Sequence, residues 1–143
     1  PLIMTAHVVY EALDKEHPGT LSRRICHDLL REELGFQGAL ISDDLEMKAI
    51  SGGCGPGEAA LSALMAGVDL LLMWEAEERQ VEALDFIVQQ AEMDEEVRVR
   101  IAEAGARVST LRAALPAQKS MDPDEAVKQV AGNRHAALLE KLV

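Results

Sequence analysis

Three short apolar runs dictate most of what this chain can fold into. Leu2, Ile3 and Met4 open the first, over residues 1–9. Ala39, Leu40 and Ile41 form the second, and Val68, Leu70, Leu71, Leu72 and Met73 dominate the third. Each is of strand length and bounded by turn-forming or polar residues, the pattern of a buried strand. Between the first two, Leu21, Ile25, Leu29, Leu30 and Leu34 recur at helical spacing. Thr20 ahead of them is a suitable helix N-cap, and Gly35 behind them a C-terminal stop. Strand, helix and strand with short connections make a βαβ unit, hence a parallel pair with a right-handed crossover.

The alternation continues. Residues 51–57 hold four glycines and a proline and read as a mobile loop, without the G-x-G-x-x-G spacing of a phosphate cradle. Residues 58–66 predict a short helix of small side chains that Gly67 ends. The near-continuous third run fits a parallel strand covered on both faces. Two longer helices follow, residues 76–91 through Val81, Leu84, Ile87 and Val88, and residues 94–115 through Val97, Ile101, Val108 and Leu111. Residues 116–123 form a linker, and Asp122-Pro123 starts a final helix as N-cap and N1. The fold class is α/β, with about three parallel strands followed by helices. It fits one side of a doubly wound sheet or the C-terminal portion of a (β/α)8 barrel. The division expected is 1–115 for the barrel part and 116–143 for a linker and terminal helix.

A formal net charge of -11 argues against nucleic acid and anionic membrane surfaces as partners. No apolar run reaches the roughly 20 residues of a membrane helix, and no basic segment precedes an apolar stretch at the start. The expected location is cytoplasmic, with Cys26 and Cys54 as free thiols.

Chemistry concentrates where the second run stops, at Ser42-Asp43-Asp44-Leu45-Glu46-Met47. Two acids at the end of a buried strand are costly unless paired, hydrated or used. In a barrel the C-terminal strand ends carry the chemistry, which puts His7, Asp43 and residues 73–75 on one rim. Plainer roles compete: a turn or N-cap acid for Asp43, a hydrogen-bonded strand-end histidine for His7, and core packing for Met47. Trp74 reads as apolar cover for the barrel end. Glu75, Glu77 and Glu78 read as a first helical turn, where negative charge suits the helix dipole.

Four segments together carry a family resemblance: Met4-Thr5-Ala6-His7-Val8, Pro18-Gly19-Thr20-Leu21-Ser22, residues 30–38 (LREELGFQG) and residues 41–50 (ISDDLEMKAI). They resemble glycoside hydrolase family 3, and within it the bacterial β-N-acetylhexosaminidases of cell-wall recycling. Residues 66–72 (AGVDLLL) look like that family's last barrel strand. The resemblance spans about residues 1–115. It implies that Asp43 is the nucleophile of a retaining hydrolysis of terminal β-linked N-acetylglucosamine. A carboxylate suits this step because its charge stabilises an oxocarbenium-like transition state before bonding to it. It further implies that Asp44 turns away into structural hydrogen bonds, and that His7 and Met47 line or flank the sugar pocket. The substrate is a carbohydrate, and no cofactor or metal is implied.

Segments of the family pattern that bind the sugar and supply a histidine acid/base on a mobile loop have no counterpart here. His17-Pro18-Gly19 echoes a family element but lies in the wrong place and reads as loop. With Pro1 at its start, the chain is expected to belong to a longer protein and to be inactive or nearly so alone. Loss of general-acid help costs roughly two to four orders of magnitude in rate. Open strand edges and uncovered apolar surface predict a dimer, or assembly with the missing N-terminal half of the barrel. Two other readings remain open at this point: a non-catalytic interaction fragment descended from the hydrolase, and a receiver-like phosphoacceptor domain built on Asp44-Leu45-Glu46-Met47.

Overall fold

A computed structural model describes residues 2–115 and 122–130. At its centre lies a three-stranded parallel sheet, β1 (Leu2–Met4), β2 (Ala39–Asp44) and β3 (Leu70–Leu72), in the order β1-β2-β3. A π-helix (Arg24–Glu33) links the first two strands. The short α1 (Lys48–Ser51) and α2 (Pro56–Ala66) link the second and third, and α3 (Glu77–Met93), α4 (Glu95–Ala114) and α5 (Pro123–Val130) follow. Each strand lies beside its predecessor and parallel to it, as in a barrel wall. Both crossovers expected from the sequence are therefore present. No helix among the described residues is long and apolar enough to cross a membrane.

The first strand departs from expectation. Only Leu2–Met4 pair with β2, and all three side chains are exposed, Met4 by 56%. Among the described residues β1 has a neighbour on one side only, so its apolar side chains lack a second layer. The third strand is likewise half-buried over Leu70–Leu72, although Val68 just before it is fully buried.

The helix after β1 is wound more widely than its sequence period implies. The Leu34 N–H donates to the Leu29 carbonyl, five residues back, at 2.9 Å, the bond of a π-helix. Wider winding breaks up the face that Leu21, Ile25, Leu29, Leu30 and Leu34 would share at 3.6 residues per turn. Cys26 becomes the fully buried residue, Leu21 and Leu30 touch the core, and Leu34 is 67% exposed. Gly35 ends the helix at φ 66° as expected. Thr20 is not the N-cap. It sits in a 3-10 turn (Gly19–Leu21), and its hydroxyl is engaged elsewhere. Ser22 supplies the capping oxygen, accepting from Ile25 N at 3.3 Å. In the loop before it, Asp14 accepts from Glu16 N, His17 N and the Ser22 hydroxyl. Those bonds, Ser22's foremost, lower its pKa to about 2.

Small side chains let the layers approach closely. Leu40, Leu45, Val68 and Cys26 form one cluster with Ala59, Ala60, Ala63 and Ala66 of α2. A Cβ at Gly57 would lie 2.5 Å from Phe86 Cγ, so the start of α2 must be glycine for α3 to dock. That helix starts earlier than the sequence suggests, with Pro56 at N1 and Glu58 accepting from Gly55 N. The face of α3 also differs. Val81, Leu84 and Val88 are exposed, whereas Ala83 is buried and Phe86 and Ile87 are half-buried. Asp94 caps α4, its carboxylate accepting from Glu96 N, and the helix buries Val97, Arg100 and Ala104. Asp122 takes the same role ahead of α5, accepting from Asp124 N. Expected structure beyond Val130, and over residues 116–121, lies outside the described residues. Cys26 and Cys54 are both free. Burial raises the Cys26 thiol pKa to about 11.

One buried acid joins most of these elements. Asp69, at the entrance to β3, has a carboxylate with no solvent exposure. Oδ2 accepts from Leu40 N at 2.9 Å and Arg31 Nη2 at 2.8 Å. Oδ1 accepts from Arg100 Nη2 at 2.7 Å and Arg107 Nη1 at 3.2 Å. Arg31 also donates to the Phe36 and Gly38 carbonyls, and Arg100 to those of Leu64 and Val68. Burial lowers the Arg31 pKa, with Asp69 acting against that shift. Asp69→Asn leaves three guanidinium groups without their shared anion. It should lower unfolding stability by about 3–5 kcal/mol, read from urea denaturation; an unchanged midpoint would contradict the role assigned to this acid.

Candidate active site

At the C-terminal end of β2 the ladder is irregular. Ile41 pairs with Leu70 and Asp44 with Leu72, so three steps on β2 match two on β3. The extra residue makes a bulge, a device that re-aims side chains beside active sites. Ser42 builds it: fully buried, its Oγ accepts from Leu72 N at 2.8 Å in place of a backbone carbonyl. Leu45 N then donates to the Leu72 carbonyl, closing the bulge on its far side.

Asp43 stands half-buried at the bulge. Its Oδ1 accepts from Asp44 N at 2.8 Å, and its Oδ2 makes no hydrogen bond to the described residues. Asp44 is tied down more fully. Its Oδ1 accepts from Glu46 N at 3.1 Å, and its carbonyl accepts from His7 Nε2 at 2.8 Å and Met47 N at 3.1 Å. Met47 stands beside this turn with its side chain 46% exposed. His7 reaches the rim from the segment after β1, so the structure brings His7, Asp43, Asp44 and Met47 together on two adjoining strand ends.

Other residues of this region make contacts that the sequence pattern does not assign. Buried Glu46 reaches across to the segment after β3, where its Oε2 accepts from Trp74 N at 3.0 Å and Glu75 N at 2.6 Å. It fixes the backbone there while the Trp74 ring stands 78% exposed, so Trp74 does not cover the sheet end. Thr20 and Thr5 join His7 through hydroxyls. The sequence signal available was the alternation of polar residues with buried ones on either side of a strand end. It could flag Glu46 but not its partners. Among the described residues, the one cluster whose side chains could together hold a metal ion is His27, Asp28 and Glu32. It lies on the π-helix, not on the strand ends.

Residues 1–111 match the family described as the glycosyl hydrolase family 3 N terminal domain. The chain belongs to glycoside hydrolase family 3. Its relatives include the β-hexosaminidase of Vibrio cholerae, 45% identical over 83 residues, 58% of this chain and 25% of that protein. A Bordetella parapertussis β-hexosaminidase is 32% identical over 124 residues, 87% of this chain and 31% of that protein. Among solved structures, a family 3 β-N-acetylglucosaminidase from a Paenibacillus species superposes with TM-score 0.74 at 37% identity, covering 85% of this chain and 24% of that one. The Thermotoga maritima β-N-acetylglucosaminidase gives 0.73 at 32%, covering 80% and 25%. The three parallel strands are therefore a portion of a family 3 (β/α)8 barrel, and not a receiver domain. The chain spans about a quarter to a third of the length of these four relatives.

One hydroxyl holds the Leu72 N–H at the bulge. Ser42→Ala removes the acceptor of the half-buried Leu72 N–H, which should cost about 1 kcal/mol. Hydrogen exchange at Leu72 should accelerate accordingly; an unaltered Leu72 amide would contradict this role for Ser42.

Proposed function

We propose that this chain contributes the nucleophile of a retaining glycoside hydrolase acting on terminal β-linked N-acetylhexosamine. Asp43 is that nucleophile. One observation carries the reading: the bulge and the turn engage Ser42, Asp44 and Glu46, yet leave Asp43 Oδ2 without a partner among the described residues. A carboxylate with one oxygen held and one available suits attack on an anomeric carbon. The substrate class is supported by the relatives, which are named β-hexosaminidases and β-N-acetylglucosaminidases.

The reaction runs in two displacements. Asp43 bonds to the anomeric carbon as the glycosidic C–O bond breaks, and a general acid from outside these residues protonates the departing oxygen. Water then cleaves the glycosyl ester with that group acting as base, returning the sugar with its configuration retained. Met47 flanks the sugar site through its exposed side chain.

The working unit is a larger barrel, of which this chain forms the C-terminal part. The open apolar flank supports this. Leu2, Ile3 and Met4 are exposed along β1, and a groove of about 800 Å³ runs beside them, lined by Ile3, Leu30, Leu34, Phe36 and Leu111 among others. Further barrel strands and helices would cover such a surface. On the full-length natural chain, Asp43→Asn should reduce hydrolysis of an aryl β-N-acetylglucosaminide to background with the fold intact by circular dichroism. Wild-type turnover in that variant would overturn the assignment.

A further inference from the structure

Neither ring nitrogen of His7 is left for a ligand. Nε2 lies 2.8 Å from the Asp44 carbonyl oxygen, and Nδ1 lies 2.8 Å from Thr20 Oγ1. A carbonyl oxygen only accepts, so Nε2 carries the hydrogen. In the neutral ring, Nδ1 then accepts from the Thr20 hydroxyl. With its proton so directed, Thr20 Oγ1 accepts from Thr5 Oγ1 at 2.9 Å. Thr20 is fully buried, and its backbone N–H is held by the Ala6 carbonyl. A directed chain therefore runs from the end of β1, through the 3-10 turn, to the end of β2.

What this chain grips is the residue after the nucleophile. The Asp44 carbonyl closes the turn to Met47 with one lone pair and takes the imidazole N–H with the other. The Asp44 N–H meanwhile holds Asp43 Oδ1. We infer that His7 is a positioning residue: the Thr5-Thr20-His7 chain clamps Asp44 and, through it, fixes the Asp43 carboxylate for attack. The inference rests on the assignment of Asp43 as nucleophile. It gives His7 a part in the rate of the chemical step in place of a direct contact with the sugar. Displacing a reacting group by about an ångström costs on the order of 100-fold, so a clamp one residue away has leverage on rate with little on binding.

The test uses the full-length natural chain. His7→Ala should lower kcat roughly 10- to 100-fold with KM little changed. His7→Gln should recover most of that loss, because a carboxamide also presents one acceptor and one donor. A raised KM at unchanged kcat would make His7 a sugar contact and overturn the inference. Nitrogen-15 NMR of the wild-type imidazole should report the Nε2–H tautomer, with an Nδ1 resonance that moves in Thr20→Val. An Nδ1–H tautomer, or indifference to Thr20→Val, would overturn the clamp whatever the activity. Asp43→Asn, assayed alongside, separates the two failures. Turnover retained there removes the nucleophile assignment, while the imidazole spectrum still decides whether the clamp exists.

Discussion

Four separate elements meet on the carboxylate of Asp69. It receives Arg31 from the π-helix, the Leu40 N–H at the start of β2, and Arg100 and Arg107 from α4, and it belongs itself to the entrance of β3. Solvent is excluded from the acid, and Arg31 and Arg100 are nearly buried too. In such surroundings an ion pair is tolerable only if its remaining donors and acceptors are satisfied. The Phe36, Gly38, Leu64 and Val68 carbonyls take up further guanidinium N–H groups. A carboxylate answered by three cations fixes where the helical layer sits on the sheet more sharply than an alanine-rich interface could. Burial of the apolar cluster around Cys26, Leu40 and Val68 is non-directional, whereas the hydrogen bonds at Asp69 fix distance and direction.

That anchorage lies at the entrance to the strands, while the proposed chemistry lies at their exit. Holding the entrance rigid leaves the exit free to be irregular. There, the Ser42 hydroxyl takes the place of a backbone acceptor, β2 gains a residue on β3, and the acids leave the regular alternation of a strand. Asp44 and Glu46 are absorbed into the structure, one by its own turn and the other by the segment after β3. Asp43 keeps an oxygen in reserve. The separation of roles proposed for these two neighbouring acids rests on their hydrogen bonding, not on any difference in their chemistry.

The strand–helix alternation, the parallel sheet and the position of Asp43 at a strand end were legible because they depend on local pattern. Features set by distant partners were not. Thr20 has the chemistry of an N-cap, but His7 and Thr5 claim its hydroxyl, and Ser22 takes over the cap. A period of 3.6 assigned the leucines of residues 21–34 to one face, and the π winding redistributes them. Val81, Leu84 and Val88 of α3 fit a helical stripe equally well, yet Gly57 admits Phe86 and turns the neighbouring Ala83 face inward. Asp69 stood in plain view inside an apolar run. Its three arginines lie between 31 and 38 positions away, beyond the reach of any spacing rule. The exposure of β1 goes with its having a strand neighbour on one side only among the described residues, which no local pattern could report.

Covalent attachment of the sugar to Asp43, held by its neighbours, is the centre of the proposed mechanism. The direct measurement is to treat the full-length natural chain with a slow, fluorinated N-acetylglucosaminyl fluoride, digest it, and locate the adduct by mass spectrometry. The expected result is one sugar, in ester linkage, on Asp43. An adduct on Asp44 or another residue, or none from a chain that still turns over substrate, would contradict it.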